Sequence, residues 1–545
     1  MNSLLLVLAS IVLFVIAYMT YGSWLGKQWG VDEKIPTPAH TMMDGVDYVP
    51  SKPQVLLGHH FASIAGAGPI TGPIQAAIFG WVPVVLWIIV GGIFFGGVHD
   101  YGSLVASMKH KGKSIGSIIE ENMGKTGKSL FSIFAWLTLV LVVAAFANIV
   151  AKTFASTPEA ATSSILMIAL AVVFGYFVYR RGVNLGIATV FGVIGVVACI
   201  LLGIKFPLTL SVNTWVVIIA LYILVASVAP VWILLQPRDY LNSFLLYAMI
   251  IGAAIGIAVY QPKIQLDAFT GVAIETKTGT QWLFPMLFIT VACGAISGFH
   301  SLVGSGTSSK QIANEKDAKL VGYGGMLIEC VLAIIAIITA AYLTRDKFGE
   351  LMANGGPIAL FSDGVGEFMS HFGIPKDTGK SFVSLAVSAF ALTSLDTATR
   401  LARFIFQEYF EKPEAQTQSI LTNKYVATII TVVAGCILAV RGYEVIWPIF
   451  GSANQLLAAL ALLALATWIK NENKNYQMFV FPMIFMFLAT LSALLIVMKN
   501  NLAGGNFIMV AMAGILFVLA LILVKEGADV LIKNKKVDKV NKKLG

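Results

Sequence analysis

Six ionisable side chains, His59, His60, Asp100, His300, Glu329 and Asp396, lie within long apolar runs. Each costs roughly 2.5 to 3.5 kcal/mol or more at the centre of a bilayer, so such groups are functional candidates by default. Histidines and carboxyls are also the side chains suited to carrying protons. Glu329 has no basic residue within a helical turn and is expected either to titrate or to pair with another helix. Asp396 has Arg400 four positions on, which fits a structural ion pair as well as a coupling role. His59 and His60 diverge on a helix, so at most one is expected to face a common site. His99 and Asp100 sit near the end of their run and are expected at headgroup level. The proton-coupling set read from the sequence is therefore His59, His60, His300, Glu329 and Asp396.

The elements that would position these groups are interrupted by glycine and proline. Between 66 and 73 the chain places Gly66, Gly68, Pro69, Gly72 and Pro73, which a continuous helix does not tolerate. Pro73 suits the first turn of a new half-helix, whose free amides would face the membrane midplane and attract an anion such as a carboxylate. A second such stretch is Ser297-Gly298-Phe299-His300-Ser301-Leu302-Val303-Gly304-Ser305-Gly306. Phe61 to Gly68 matches Phe299 to Gly306 at a shift of 238, with Phe, Ser and both Gly in register. Paired interruptions in corresponding halves point to the binding site of a secondary transporter. The expected substrate site is Ser63, Gly66, Ala67, Gly68, Thr71, Ser301, Gly304, Ser305 and Gly306. A sodium site is the competing reading, with Thr393 and Ser394 hydroxyls completed by a carbonyl near Ala65.

With 545 residues, 57% hydrophobic and 12% charged, and a mean hydropathy of +0.83, the chain belongs in a bilayer. The formal charge of +9 fits basic membrane loops rather than nucleic acid. Cys199, Cys293, Cys330 and Cys436 stand alone in apolar runs without metal-ligand spacing, so no metal or other cofactor is expected. Nucleotide-binding and zincin motifs are absent from the sequence. Ser305 and His300 share one segment without an oriented acid, which speaks against an intramembrane protease. A channel would need a polar stripe along several spans, whereas the polar groups concentrate at the interruptions.

Apolar runs long enough to span number about fifteen. They lie at 3–24, 54–80, 81–107, 128–154, 161–180, 183–204, 213–235, 242–260, 282–306, 319–343, 381–406, 421–440, 444–469, 478–498 and 504–524. Lys and Arg gather in the loop 107–128 and the tail after Val524, which places the tail in the cytoplasm and the first residue outside. The first run lacks a preceding basic residue and a cleavage pattern, so it is expected to stay as a helix. The loop 344–380 carries the turn signal Asn354-Gly355-Gly356-Pro357. A short surface or re-entrant helix is expected at 361–372, within a solvated connector. The chain divides into an N-terminal helix and cytoplasmic loop (1–53), a first half (54–281), a second half (282–524) and a basic cytoplasmic tail (525–545). Two further matches extend the repeat. Gly127-Lys128-Ser129 pairs with Gly379-Lys380-Ser381, and Arg181-Gly182 with Arg441-Gly442, at shifts of 252 and 260. The interrupted segments are the second and ninth spans, an odd separation, so the second half is expected to be inverted.

The stretches Gly58 to Pro73, Gln236 to Asn242, Ser297 to Gly306, Gly322-Tyr323-Gly324, Leu395 to Arg400 and Trp447 to Gln455 resemble the carbon starvation protein A (CstA) family of bacterial inner-membrane transporters. The resemblance spans about 55 to 470 and implies uptake of peptides, in some members of pyruvate with a proton. It also implies kinship with LeuT-type inverted-repeat transporters. Seven spans per half departs from the five of that core. The expected architecture is an all-α polytopic membrane protein, an inverted-repeat LeuT/APC-like transporter with broken and extra transmembrane helices, in the bacterial inner membrane. Its expected partners are a peptide or pyruvate, H+ or Na+, and membrane lipid, and it is not expected to be an enzyme.

Overall fold

The computed structural model describes residues 2–45, 47–230, 233–276, 279–411, 419–440 and 443–533. Among them, eleven helices are long and apolar enough to cross a membrane, from Ser3–Trp29 to Phe507–Ile532. Two further apolar helices, Val212–Val228 and Lys424–Ala439, are shorter. The remaining two of the fifteen runs are the interrupted segments. Outward apolar faces, such as Ile187, Val190, Phe191 and Ile194, are exposed for lipid, whereas Ile446–Asn471 and Lys376–Phe410 are almost wholly enclosed.

The elements around the site are named in chain order: α1 (Pro53–Ile64), α2 (Gly68–Ala76), α3 (Gly97–Lys109), α4 (Ile115–Ser156), α5 (Leu235–Tyr260), α6 (Gly298–Gly306), α7 (Gly325–Ala341), α8 (Lys376–Phe410) and α9 (Tyr443–Asn471). The long helices α4 and α8 pack along each other, with α9 against α4. Helix α5 lies against α1 and α8, and α6 against α3 and α9.

Segment 54–80 breaks between α1 and α2. Ala65 caps α1 at φ −76°, ψ 64°, and the Gly66 amide donates to the Ile64 carbonyl at 2.8 Å, a tight inverse γ-turn. The new helix opens on Gly68 with Pro69 in its first turn, one turn earlier than the expected start at Pro73, which lies inside α2. Proline suits that first turn because its missing N–H would have been unpaired there. Segment 282–306 breaks between Leu283–Thr290 and α6, and Val291 repeats the turn at φ −79°, ψ 61°. Aligning the two turns gives a shift of 226 rather than 238. It sets Gly68-Pro69-Ile70-Thr71-Gly72 against Gly294-Ala295-Ile296-Ser297-Gly298. The sequence register was therefore wrong: Phe61 to Ile64 end the helix before one break, whereas Phe299 to Gly306 form the helix after the other. Each broken segment is followed by a helix with a π turn, Gly92–Gly96 before α3 and Lys319–Gly324 before α7.

The stretch 361–372 is mostly not a solvated connector. It continues the second arm of helix Arg345–Ser370, which bends at Gly356 (φ 71°) and buries Leu360, Phe361, Val365 and Phe368 as it packs on α2, α5, α7 and α8. The loop 261–281 carries an antiparallel hairpin, Ala273–Thr276 with Gly279–Trp282. Arg441-Gly442 and most of the basic tail fall outside the described residues.

Candidate functional site

The two breaks face each other across glycines. A Cβ on Gly68 would sit 2.5 Å from Cys293 Sγ, and one on Gly72 2.5 Å from the Thr290 carbonyl oxygen. Only a residue without a side chain lets the two backbones approach so closely. Gly66 lies against Ser394 of α8 and Phe146 of α4. The Ser394 hydroxyl donates to the Ser63 carbonyl at 3.1 Å, fastening the end of α1 to α8. Thr71 donates to the Ala67 carbonyl and Ser63 to the His59 carbonyl. Ser63, Ala65, Gly66, Ala67, Gly68, Thr71 and Ser394 are thus gathered at the first break. Thr393 turns instead to α5, where it accepts a hydrogen bond from Asn242 at 3.1 Å.

The half-helix starts differ in one respect. The first-turn amide of Phe299 donates to Asn454 Oδ1 of α9 at 2.9 Å, and Asn454 Nδ2 donates to Ser297 Oγ at 3.0 Å. The start of α2 has no side-chain cap; Pro69 lacks an N–H and the Ile70 amide donates to the Ala67 carbonyl at 3.3 Å, which leaves the Gly68 amide as the first-turn donor for a ligand. Ser301, Gly304, Ser305 and Gly306 are not at the break. Ser305 lies seven residues into α6, about 10 Å beyond Gly298 by helical rise, where its hydroxyl donates to the Ser301 carbonyl and accepts from the Ile115 amide. On the other side of the breaks, a cavity of about 220 Å³ is lined by Gln75, Gln281, Met286, Thr290 and Trp447 among others.

The ionisable groups form two buried networks on either side of α1. In the first, Arg238 of α5 pairs with Asp239 at 3.0 Å and with Asp396 of α8. Tyr222 donates to the same Asp396 oxygen at 2.6 Å, and His59 Nδ1 stands 3.5 Å from Asp239 Oδ2. The ion pair expected for Asp396 therefore exists, but with Arg238; Arg400 donates to the Ala229 carbonyl. In the second network Asp100 is not at headgroup level. It is buried, with one oxygen 2.7 Å from His99 Nδ1 and the other 2.8 Å from His300 Nδ1 of α6. His300 Nε2 then stands 3.5 Å from Glu329 of α7, the partner on another helix that the sequence left open. His60 joins neither pair and meets the Ser308 hydroxyl at 2.8 Å. Cys293, His300 and Glu329 bring a donor atom each within 4.8 Å of one another, so these three could hold a metal ion.

Sequence reasoning gave no role to Arg238, Asp239, Asn454 or Cys293. For the first two a signal existed: α5 begins at Leu235, seven residues before its apolar run, and carries the charged pair inward. For the break the signal was the Gly-x-Ile-Thr/Ser-Gly match, hidden by the longer match at 238.

A family model described as carbon starvation protein CstA matches residues 2–355 and 346–493. The chain is 33% identical to the peptide transporter CstA of Bacillus subtilis, over 86% of this chain and 85% of that protein. It is 33% identical to the peptide transporter CstA of Escherichia coli, over 90% of this chain and 80% of that one. The pyruvate/proton symporter BtsT of Escherichia coli is 31% identical, over 90% and 81%. Among solved structures, a manganese transporter of Eremococcus coleocola superposes with a TM-score of 0.50 at 11% identity, covering 89% of this chain and 99% of that one. That likeness concerns the fold alone.

Proposed function

The chain belongs to the carbon starvation protein CstA family, and from that premise we propose that it is a proton-coupled secondary transporter of a small carboxylate-bearing solute, a short peptide or pyruvate. The helices make it a multi-pass membrane protein; its place is the bacterial inner membrane, with the basic tail in the cytoplasm. The observation that carries the reading is the unpaired Gly68 amide at the uncapped start of α2, where the two breaks meet, a place for a carboxylate near the middle of the bundle. The repeated γ-turns and π turns support two inverted halves of five helices. The first comprises α1 with α2, Trp81–Lys109, α4, Val212–Val228 and α5. The second comprises the second broken segment, Lys319–Ala341, α8, Lys424–Ala439 and α9.

For the proton, His59 and Asp239 are the pair with a route in. The His59 side chain is 10% exposed, it borders the first break, and neither His59 Nδ1 nor Asp239 Oδ2 has a hydrogen-bond partner. Through Arg238 the pair is tied to Asp396, two residues beyond the serine that fastens α1. His60 lies on the opposite side of α1, and His300 and Glu329 lie in the sealed second network. A sodium-coupled reading draws on the Ser394 hydroxyl, the Ser63 carbonyl and the break at Ala65. Arg238 weighs against it, since a guanidinium already supplies the positive charge beside Asp396.

Uptake of labelled pyruvate and of a labelled dipeptide into proteoliposomes, each under an imposed proton or sodium gradient, tests the proposal. Accumulation of either solute driven by protons alone is the expected result. Accumulation driven by sodium alone moves the coupling site to Ser394, and uptake of neither overturns the substrate class.

A further inference from the structure

We propose that Cys293, His300 and Glu329 form a binding site for a soft divalent transition-metal ion, zinc being the type, which clamps the second break to α7. The three donor atoms lie within 4.8 Å of one another, and all three residues are buried. Tetrahedral zinc with sulfur, nitrogen and oxygen ligands separates its donors by roughly 3.3 to 3.8 Å. The 3.5 Å between His300 Nε2 and Glu329 Oε2 falls in that range, and it is longer than an N–H···O hydrogen bond of about 2.7 to 3.2 Å. Neither Glu329 oxygen has a hydrogen-bond partner, and neither has His300 Nε2. Three buried polar atoms without a protein hydrogen-bond partner are costly, and a metal ion bound by His300 Nε2 and the Glu329 carboxylate would satisfy them.

The surroundings match what a metal-bound histidine needs. Nδ1 of His300 faces Asp100 at 2.8 Å, so the ring donates there and presents the bare Nε2 to the ion, the carboxylate–histidine–metal arrangement. Asp100 is held in turn by His99 at 2.7 Å. A thiolate and a carboxylate balance the double charge, and the thiolate selects zinc-like ions over magnesium or calcium. Cys293 lies in the break, His300 on α6 and Glu329 on α7, so an ion held by all three ties a broken segment to a continuous helix. The site stands independently of the transport reading; only the expected arrest of turnover by the bound ion rests on that reading.

Cobalt(II) serves as the probe, titrated into tag-free, full-length protein in detergent. One cobalt per chain with a thiolate-to-cobalt charge-transfer band, displaced by zinc, is expected. The band should disappear in Cys293→Ser and persist in Cys199→Ser, and Asp100→Asn should weaken binding roughly 10- to 100-fold. If Cys293→Ser does not fold, the wild-type titration still decides, because absence of saturable binding or of the band overturns the site. A band that persists in folded Cys293→Ser overturns it as well. Zinc binding without inhibition in proteoliposomes would leave the site standing and remove only its effect on transport.

Discussion

Arg238 holds two carboxylates at once, Asp239 beside it and Asp396 on α8, in a place where none of the three is more than 2% exposed. Breaking a buried ion pair by removing one partner costs about 3 to 5 kcal/mol, because the other charge is stranded. Arg238→Gln strands two charges and Asp396→Asn strands part of one, so the first variant is expected to lose more stability than the second. Thermal unfolding in detergent measures the order, and equal losses would mean that the triad is not acting as a unit. His59 is the partly exposed member of the same network. His59→Gln is expected to abolish proton-driven accumulation while solute exchange across proteoliposomes continues, and unchanged accumulation would remove His59 from the coupling route. The sequence displayed Asp396 and His59 as charged groups in apolar runs. It could not display their partners, because Asp239 and Arg238 are brought to them by helix packing between positions more than 150 residues apart.

Helix breaks were legible as elements because glycine and proline act locally, through backbone freedom and the missing amide. Their register against each other was not, since two short matches competed and only the paired turns at Ala65 and Val291 choose between them. The choice has a consequence for individual glycines. A methyl group on Gly72 would collide with the Thr290 backbone and push the two breaks apart, whereas one on Gly304 would meet its nearest neighbour, Leu104, at 3.8 Å. Gly72→Ala is therefore expected to lower solute affinity at least tenfold in a protein that still inserts, and Gly304→Ala to bind normally. Binding assays on both variants check the pair; the reverse order would return the site to the end of α6. The arm after Gly356 was misread for a related reason. Its charged neighbours Asp363, Glu367, Lys376 and Lys380 made the loop look solvated, but they pair among themselves on one face and leave the apolar face free to bury.

Across the whole molecule, the proposed halves take two sets of five from the fifteen apolar runs and set three groups aside: the first helix, the hairpin formed by Pro158–Val178 and Leu185–Lys205, and the last two helices. The hairpin helices pack on each other, as an insertion between α4 and Val212–Val228 would. On the proposed division the discrepancy of seven spans per half would disappear, and Arg181-Gly182 would leave the repeat as part of the insertion. The proposed inversion of the halves would also fix which mouth each half-helix serves. Helix α2 and the Leu283–Thr290 helix then rise toward one mouth, where the cavity containing Gln75 and Gln281 lies. Helices α1 and α6 point to the other, beside the basic turn that carries Lys109, Lys111 and Lys113. Basic loops stay inside, so in the proposed orientation the cavity would open outward. Cysteines introduced singly at Gln281 and at Lys113 into a background without the native cysteines test this with a membrane-impermeant thiol reagent on intact cells. Gln281→Cys is expected to be labelled directly, and Lys113→Cys only after the membrane is permeabilised. Labelling of both from the same side would mean that the two mouths are one and that the halves are not inverted, and the reverse pattern would keep the inversion while turning the whole protein over in the membrane.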